Sequence, residues 1–100
     1  DGSIQGRTAR MNWPGYCCGS PNGLWLGDSE DLFKLMLPFH KAGYQLAMHT
    51  NGDEAIEVGV DIYRRLLEAH PRFDHRHRLE HVQMATDAMF RKIKTLLHAI

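Results

Sequence analysis

Apolar and polar positions divide the chain into an irregular first part and a regular second part. Residues 1–28 carry glycines and prolines too often for any apolar period to persist, which predicts a long loop region. From residue 29 onward the apolar residues recur with helical and strand-like periods in turn. The predicted order is helix, strand, helix, strand, helix, in which a crossover helix joins two parallel strands whose carboxyl ends meet at one edge.

Three segments have the spacing of amphipathic helices. Ser29 is the expected N-cap of the first, and Thr86 that of the third. The second helix follows the turn at residues 51–53 and is stopped by Pro71. The three apolar stripes are Leu32/Leu35/Met36/Phe39, Ile56/Val60/Tyr63/Leu67 and Met89/Ile93/Leu96/Leu97/Ile100.

The two predicted strands, Tyr44–His49 and the segment around Arg76–Gln83, each carry a histidine at or near the carboxyl end. We expect His49 and His81 to stand side by side at one rim of the sheet, where they could share a metal ion. Considered alone, each is more often a hydrogen-bonded core or surface residue than a ligand, since seven histidines among 100 residues make chance pairs common. His40, His70, His75 and His98 are expected to be solvated.

Strand alternation predicts which side chains face the covering helices. In the first strand it turns Leu46 and Met48 towards the helices and leaves His49 on the opposite face. In the second strand His77, Leu79 and His81 share one face, and Arg78, Glu80 and Val82 share the other. We expect Arg78 and Glu80 to point towards the helices. Two parallel strands cannot form a self-sufficient sheet, so the pattern favours an α/β fold that is a portion of a (β/α)8 barrel.

Composition narrows the function classes. Twelve basic residues balance twelve acidic ones, so no excess of charge favours binding to nucleic acid. No apolar run approaches the roughly 20 residues that span a bilayer, which argues against a membrane role. Cys17 and Cys18 are adjacent and do not readily form a structural disulfide, which favours a reducing cytoplasm.

Asp53 is expected to cap the second helix or, alternatively, to orient His49.

Three motifs carry a family resemblance. They are Asp1-Gly2-Ser3 followed by Arg7-Thr8-Ala9, then HTNGDEA at residues 49–55, then DHRHRLEHVQ at residues 74–83. In order and spacing they resemble the YtcJ-like branch (amidohydrolase family 3) of the metal-dependent amidohydrolase superfamily. The resemblance implies one partial barrel domain over residues 1–100, with residues 1–28 as the active-site loop region and residues 29–100 as the αβαβα part.

The resemblance also implies a chemistry. Family members hydrolyse amide-type C–N bonds of small molecules with one or two divalent metal ions, usually zinc, that activate water. His49 and His81 match the family's metal ligands after the fifth and sixth strands. Ser3, Thr8 and Tyr16 of the loop region are expected to contact substrate, and Asp53 is expected to support the site.

Other parts of the family pattern have no counterpart in these 100 residues. They are the first-strand His-x-His pair, the bridging lysine before Asp-Gly-Ser and the eighth-strand aspartate that shuttles protons. We therefore expect no complete catalytic set here, an inactive isolated chain, and a need for the rest of the barrel or for self-association. The alternatives are a non-catalytic regulatory or binding relative that keeps the barrel, and an unrelated small α/β binding domain that folds alone.

Overall fold

The structure is a computed structural model that describes residues 1–98 apart from residues 6, 13–14, 17–19 and 24–27, with side chains described up to residue 95. The predicted order of elements is confirmed: α1 (Ser29–Lys41), β1 (Ala47–Thr50), α2 (Asp53–Ala69), β2 (Arg78–His81) and α3 (Asp87–His98). Both strands are shorter than predicted. Cys17 and Cys18 lie outside the described residues. In the part of the chain that is described, no helix is long and apolar enough to span a bilayer.

The two strands pair in parallel, with Ala47 opposite Arg78 and Thr50 opposite His81. The carboxyl ends of β1 and β2 are therefore level. This arrangement is the one that the crossover through α2 predicts. It is consistent with part of a barrel.

Helix α2 lies at the centre of the packing because it contacts α1, α3 and β1. Ile62 and Leu66 are fully buried, and the apolar side chains of α1 and β1 pack against them. Gly59 allows α2 to approach the strands closely, since a Cβ there would lie 3.0 Å from Leu79 Cδ2 and 3.1 Å from Met48 Sδ.

The predicted facing of β1 is confirmed, and that of β2 is wrong. Met48 of β1 and Leu79 of β2 both pack against the buried residues of α2. Arg78 and Glu80 therefore point away from the helices, where Arg78 Nη2 lies 2.9 Å from Glu80 Oε1 and both side chains are partly exposed. An ion pair on an open face avoids the desolvation that burial under helices would impose.

Candidate metal site at the carboxyl ends of the strands

His49 and His81 stand side by side at the rim formed by the strand ends. Their ring centroids are 4.8 Å apart and the ring planes are inclined at 71°. Both side chains are exposed, so they are accessible from solvent. The expected adjacency is therefore present in the structure, while the role of the two residues as metal ligands stays a prediction.

The backbone at His81 leaves the extended conformation. His81 has φ +69° and Val82 has φ +54°, in the left-handed region that a β-branched residue rarely occupies. The Val82 N–H donates to the carbonyl oxygen of Glu80 at 2.9 Å, which closes a three-residue γ-turn centred on His81. Residues in sparsely populated regions cost roughly 1–3 kcal/mol each, and such strain is common at functional sites.

A buried carboxylate orients His49. The Asp1 side chain is fully buried and its Oδ1 lies 3.0 Å from His49 Nδ1. Three backbone N–H groups donate to the same carboxylate, at 2.8 to 3.1 Å: those of Arg10, Asn51 and Gly52. Because Nδ1 of neutral His49 carries the proton that it donates to Asp1, the lone pair of Nε2 is available to a ligand. Sequence reasoning missed this role for Asp1, whose only signal was its place in the Asp-Gly-Ser motif.

Asp53 contacts the loop region. It is the first residue of α2, and its Oδ1 accepts hydrogen bonds from the backbone N–H groups of Asn12 at 2.7 Å and Glu54 at 2.9 Å. Gly52 is the N-cap of α2, so the expected capping role of Asp53 is wrong, and the carboxylate hydrogen-bonded to His49 is that of Asp1; a supporting role of Asp53 at the site stays a prediction.

The three residues expected to contact substrate make hydrogen bonds within the loop region. The Ser3 N–H donates to Thr8 Oγ1 at 2.9 Å, and the Ser3 carbonyl accepts from the Thr8 N–H at 2.9 Å. The Tyr16 hydroxyl donates to the carbonyl oxygen of Ala9 at 2.8 Å. These bonds shape the loop, and contact with substrate stays a prediction for all three residues.

The donor set fits part of a zinc site. Two imidazoles at tetrahedral positions on one ion, with Zn–N bonds of about 2.1 Å, have ring centroids roughly 5 Å apart, close to the 4.8 Å between His49 and His81. Among the residues that the structure describes, no group of three or more His, Cys, Asp or Glu side chains could hold a metal ion. Two histidines are one ligand short of the usual catalytic set, so further ligands would have to come from elsewhere.

A second group of histidines lies at the opposite ends of the strands. His40 is fully buried and His75 is 4% exposed, so the expectation that both are solvated is wrong. His40 Nε2 lies 2.7 Å from the carbonyl oxygen of His70, and Arg72 donates to the carbonyl oxygen of His40 at 2.9 Å. His40 follows Leu32 and Met36 at helical spacing on the packed side of α1, and the segment after α2 covers it. His98 lies beyond the described side chains.

Hydrogen bonds fix the neutral tautomers in this second group. The Leu46 N–H donates to His77 Nδ1 at 3.0 Å, so Nδ1 is unprotonated and Nε2 carries the hydrogen. His77 Nε2 then donates to His40 Nδ1 at 2.8 Å, and His40 Nε2 donates to the His70 carbonyl. Burial lowers the pKa of His40, and burial together with the neighbouring His75 lowers the pKa of His77 to about 4.

Two parallel strands joined through a crossover helix define an α/β chain, and in this one two histidines lie side by side at the carboxyl ends of the strands. The chain belongs to the amidohydrolase family, whose family model matches residues 1–100. It is 32% identical over 93 residues to the putative amidohydrolase YtcJ of Bacillus subtilis (strain 168), and the match covers 92% of this chain and 17% of that protein. It is 34% identical over 85 residues to the protein LONG AFTER FAR-RED 3 of Arabidopsis thaliana, and the match covers 83% of this chain and 14% of that protein.

The chain is thus a YtcJ-like amidohydrolase family 3 segment that spans 17% or less of the length of these two relatives. No solved structure matches it.

Proposed function

We propose that the chain is a segment of the (β/α)8 barrel of a metal-dependent hydrolase that cleaves amide-type C–N bonds, other than peptide bonds, in small molecules. His49 and His81 are two of the ligands of a divalent metal ion, and zinc is the metal that their imidazole nitrogens favour. The observation that carries the proposal is the 4.8 Å separation of the two rings at the carboxyl ends of adjacent parallel strands.

The residues of this chain have separate tasks in that proposal. The Asp1 carboxylate holds the Nδ1 proton of His49, which fixes the tautomer and would leave the lone pair of Nε2 to bind the ion. His81 offers the second imidazole from the neighbouring strand end. When bound, zinc at such sites lowers the pKa of water to about 7 and polarises a carbonyl oxygen. The loop that carries Ser3, Thr8 and Tyr16 is the proposed substrate-facing wall.

The barrel needs partners for surfaces that this segment leaves open. Within the described residues the sheet has two strands, so each strand has one edge without a neighbour. Leu35 is 62% exposed and Phe90 is 55% exposed, although helical spacing places Leu35 on the apolar stripe of α1. We propose that the rest of the barrel, or self-association, covers them. We also propose a cytoplasmic location, from the lack of a separated cysteine pair.

A non-catalytic relative is the second candidate. The name of the Arabidopsis relative does not describe an enzyme, and a regulatory or binding protein could keep the barrel after losing the metal chemistry. The two candidates differ in whether the complete protein holds a metal ion and turns over substrate.

The test uses the full-length protein that contains this chain. Its metal content is measured, and it is assayed against simple N-acyl and N-formyl amides with zinc or manganese present. We expect His49→Ala and His81→Ala each to reduce metal content and turnover by more than the roughly 10-fold that loss of a supporting residue costs. His70→Ala is the matched control, because its side chain is exposed. Metal-dependent turnover that survives both ligand substitutions would refute the proposal, and a folded protein with neither metal nor turnover would favour the non-catalytic candidate.

A further inference from the structure

The position of His81 beside His49 does not follow from strand geometry alone. In the parallel register Thr50 is opposite His81, whereas His49 is opposite Glu80. Paired residues of neighbouring strands point to the same face, so a regular strand would send His81 to the face of Thr50. Thr50 is 1% exposed and its Cγ2 would lie 3.3 Å from a Cβ on Gly59 of α2. A regular β2 would therefore direct His81 towards the helices, away from His49.

The left-handed pair at residues 81 and 82 reverses this alternation. With φ +69° at His81 the ring lies 4.8 Å from that of His49, on the exposed rim. Val82 takes the helix-facing place instead and packs against the buried cluster of Ile56, Val60 and Met89. The γ-turn thus places the imidazole of His81 on the exposed rim and the isopropyl group of Val82 on the side that faces the helices.

Thr50 contacts this turn through two atoms. Its carbonyl oxygen accepts from the Val82 N–H at 2.9 Å, and its buried hydroxyl lies 3.3 Å from the carbonyl oxygen of Glu80, to which it donates. The Glu80 carbonyl belongs to the peptide plane whose rotation sets φ of His81. A donor that holds this carbonyl therefore holds the turn.

We propose that Thr50 is a positioning residue for His81: its buried hydroxyl holds the Glu80–His81 peptide in the orientation that turns the imidazole to the metal side. Val82 assists by anchoring the reversed turn in the core. This inference rests on the proposed metal site and adds to it a residue that does not touch the ion.

The test is a pair of substitutions in the full-length protein. Thr50→Val keeps the shape and the methyl group that packs on Gly59 but removes the hydroxyl donor, and Thr50→Ser restores the donor. Zinc affinity is measured by competition with a chelator, the coordination of a bound cobalt ion by its absorption spectrum, and the stability of the metal-free protein by urea unfolding. We expect Thr50→Val to weaken zinc binding about 10-fold or more and to alter the cobalt spectrum, and Thr50→Ser to restore most of both.

Each outcome has a distinct meaning. Weaker binding in Thr50→Val, with rescue by serine and a cobalt spectrum that shifts towards that of His81→Ala, supports the inference. If Thr50→Val changes only the stability of the metal-free protein, the hydroxyl has a purely structural role and the inference is wrong, although the proposed metal site stands. If the wild-type protein binds no zinc, the proposed function fails and the inference fails with it.

Discussion

Acid should destabilise the fold through His77, and the structure allows the size of the effect to be worked out. Burial, with a smaller contribution from His75, lowers the pKa of His77 from 6.5 to about 4. Between these values the unfolded chain binds more protons than the folded chain, so stability falls as the pH drops from 6.5 towards 4 and then levels off. The hydrogen bonds explain why the pKa of His77 is lowered, since a proton on Nδ1 would face the Leu46 N–H that donates to this nitrogen in the folded chain.

The pKa difference corresponds to about 2 kcal/mol of lost stability at about pH 5, relative to about pH 7.5. His77 is only half-buried, so solvent screens the interaction and we reduce the expectation to about 1 kcal/mol. His77→Asn removes the titration and keeps an oxygen near the position of Nδ1 to accept from Leu46. The substitution should lower stability at neutral pH, and about 1 kcal/mol of that cost should disappear at about pH 5.

The assay is urea unfolding of the metal-free full-length protein at the two pH values, for wild type and variant. Gln45→Ala is the matched control, because the Gln45 amide bonds the Arg76 carbonyl at the same end of the strands and does not titrate. Contributions of the histidines that do not contact His77 cancel in the difference between wild type and variant. If the cost of His77→Asn is the same at both pH values, the fold does not hold His77 in its neutral form and the reasoning is wrong.

Three further predictions concern the site and the segment as a whole. Asp1→Asn leaves one carbonyl oxygen for the four groups that donate to the Asp1 carboxylate. Zinc affinity, measured by competition with a chelator, should therefore fall about 10–100-fold. An unchanged affinity would show that His49 needs no carboxylate. Gly52→Ala should destabilise the protein by at least about 2 kcal/mol in urea unfolding, because the added Cβ would lie 1.7 Å from the backbone oxygen of Arg10. A loss below the roughly 0.5 kcal/mol that is typical of surface substitutions would refute this contact. The isolated 100-residue chain should self-associate in light scattering and bind zinc weakly; a folded monomer that binds zinc tightly would contradict both expectations.

The element order and the edge of the sheet at which the two histidines lie could be predicted because they depend on local periodicity and one chirality rule; the side of the sheet to which His81 points depends on the turn at residues 81 and 82. Periods of 3.6 and 2 residues separate the helices from the strands, and the right-handed crossover brings His49 and His81 to one edge. The facing of β2 could not be predicted in the same way. Alternation separates Leu79 from Glu80 but does not say which face is covered, and the left-handed turn at His81 then breaks the alternation.

The remaining differences come from contacts between residues far apart in the chain. His40 is fully buried on the packed side of α1, and the carbonyl oxygen that its Nε2 meets comes from His70, 30 residues further along the chain. Asp1 and His49 are 48 residues apart, and no local pattern links them. Local patterns in the sequence show which residues are able to bind or pack, and contacts between distant segments decide which of them do.

The hydrogen bond at Nδ1 distinguishes a candidate ligand from a structural histidine in this chain. At His49, Nδ1 donates to the Asp1 carboxylate, so the lone pair of Nε2 is left for a metal ion. At His77, Nδ1 accepts from the Leu46 N–H and Nε2 donates to His40, so both nitrogens are used and no lone pair remains. His49 lies in β1 near its carboxyl end and His77 lies one residue before β2, at the opposite end of the sheet, and each receives its tautomer from the backbone or carboxylate beside it. For that reason His77, which precedes β2 by one residue, is not a candidate for a third ligand of the proposed metal site.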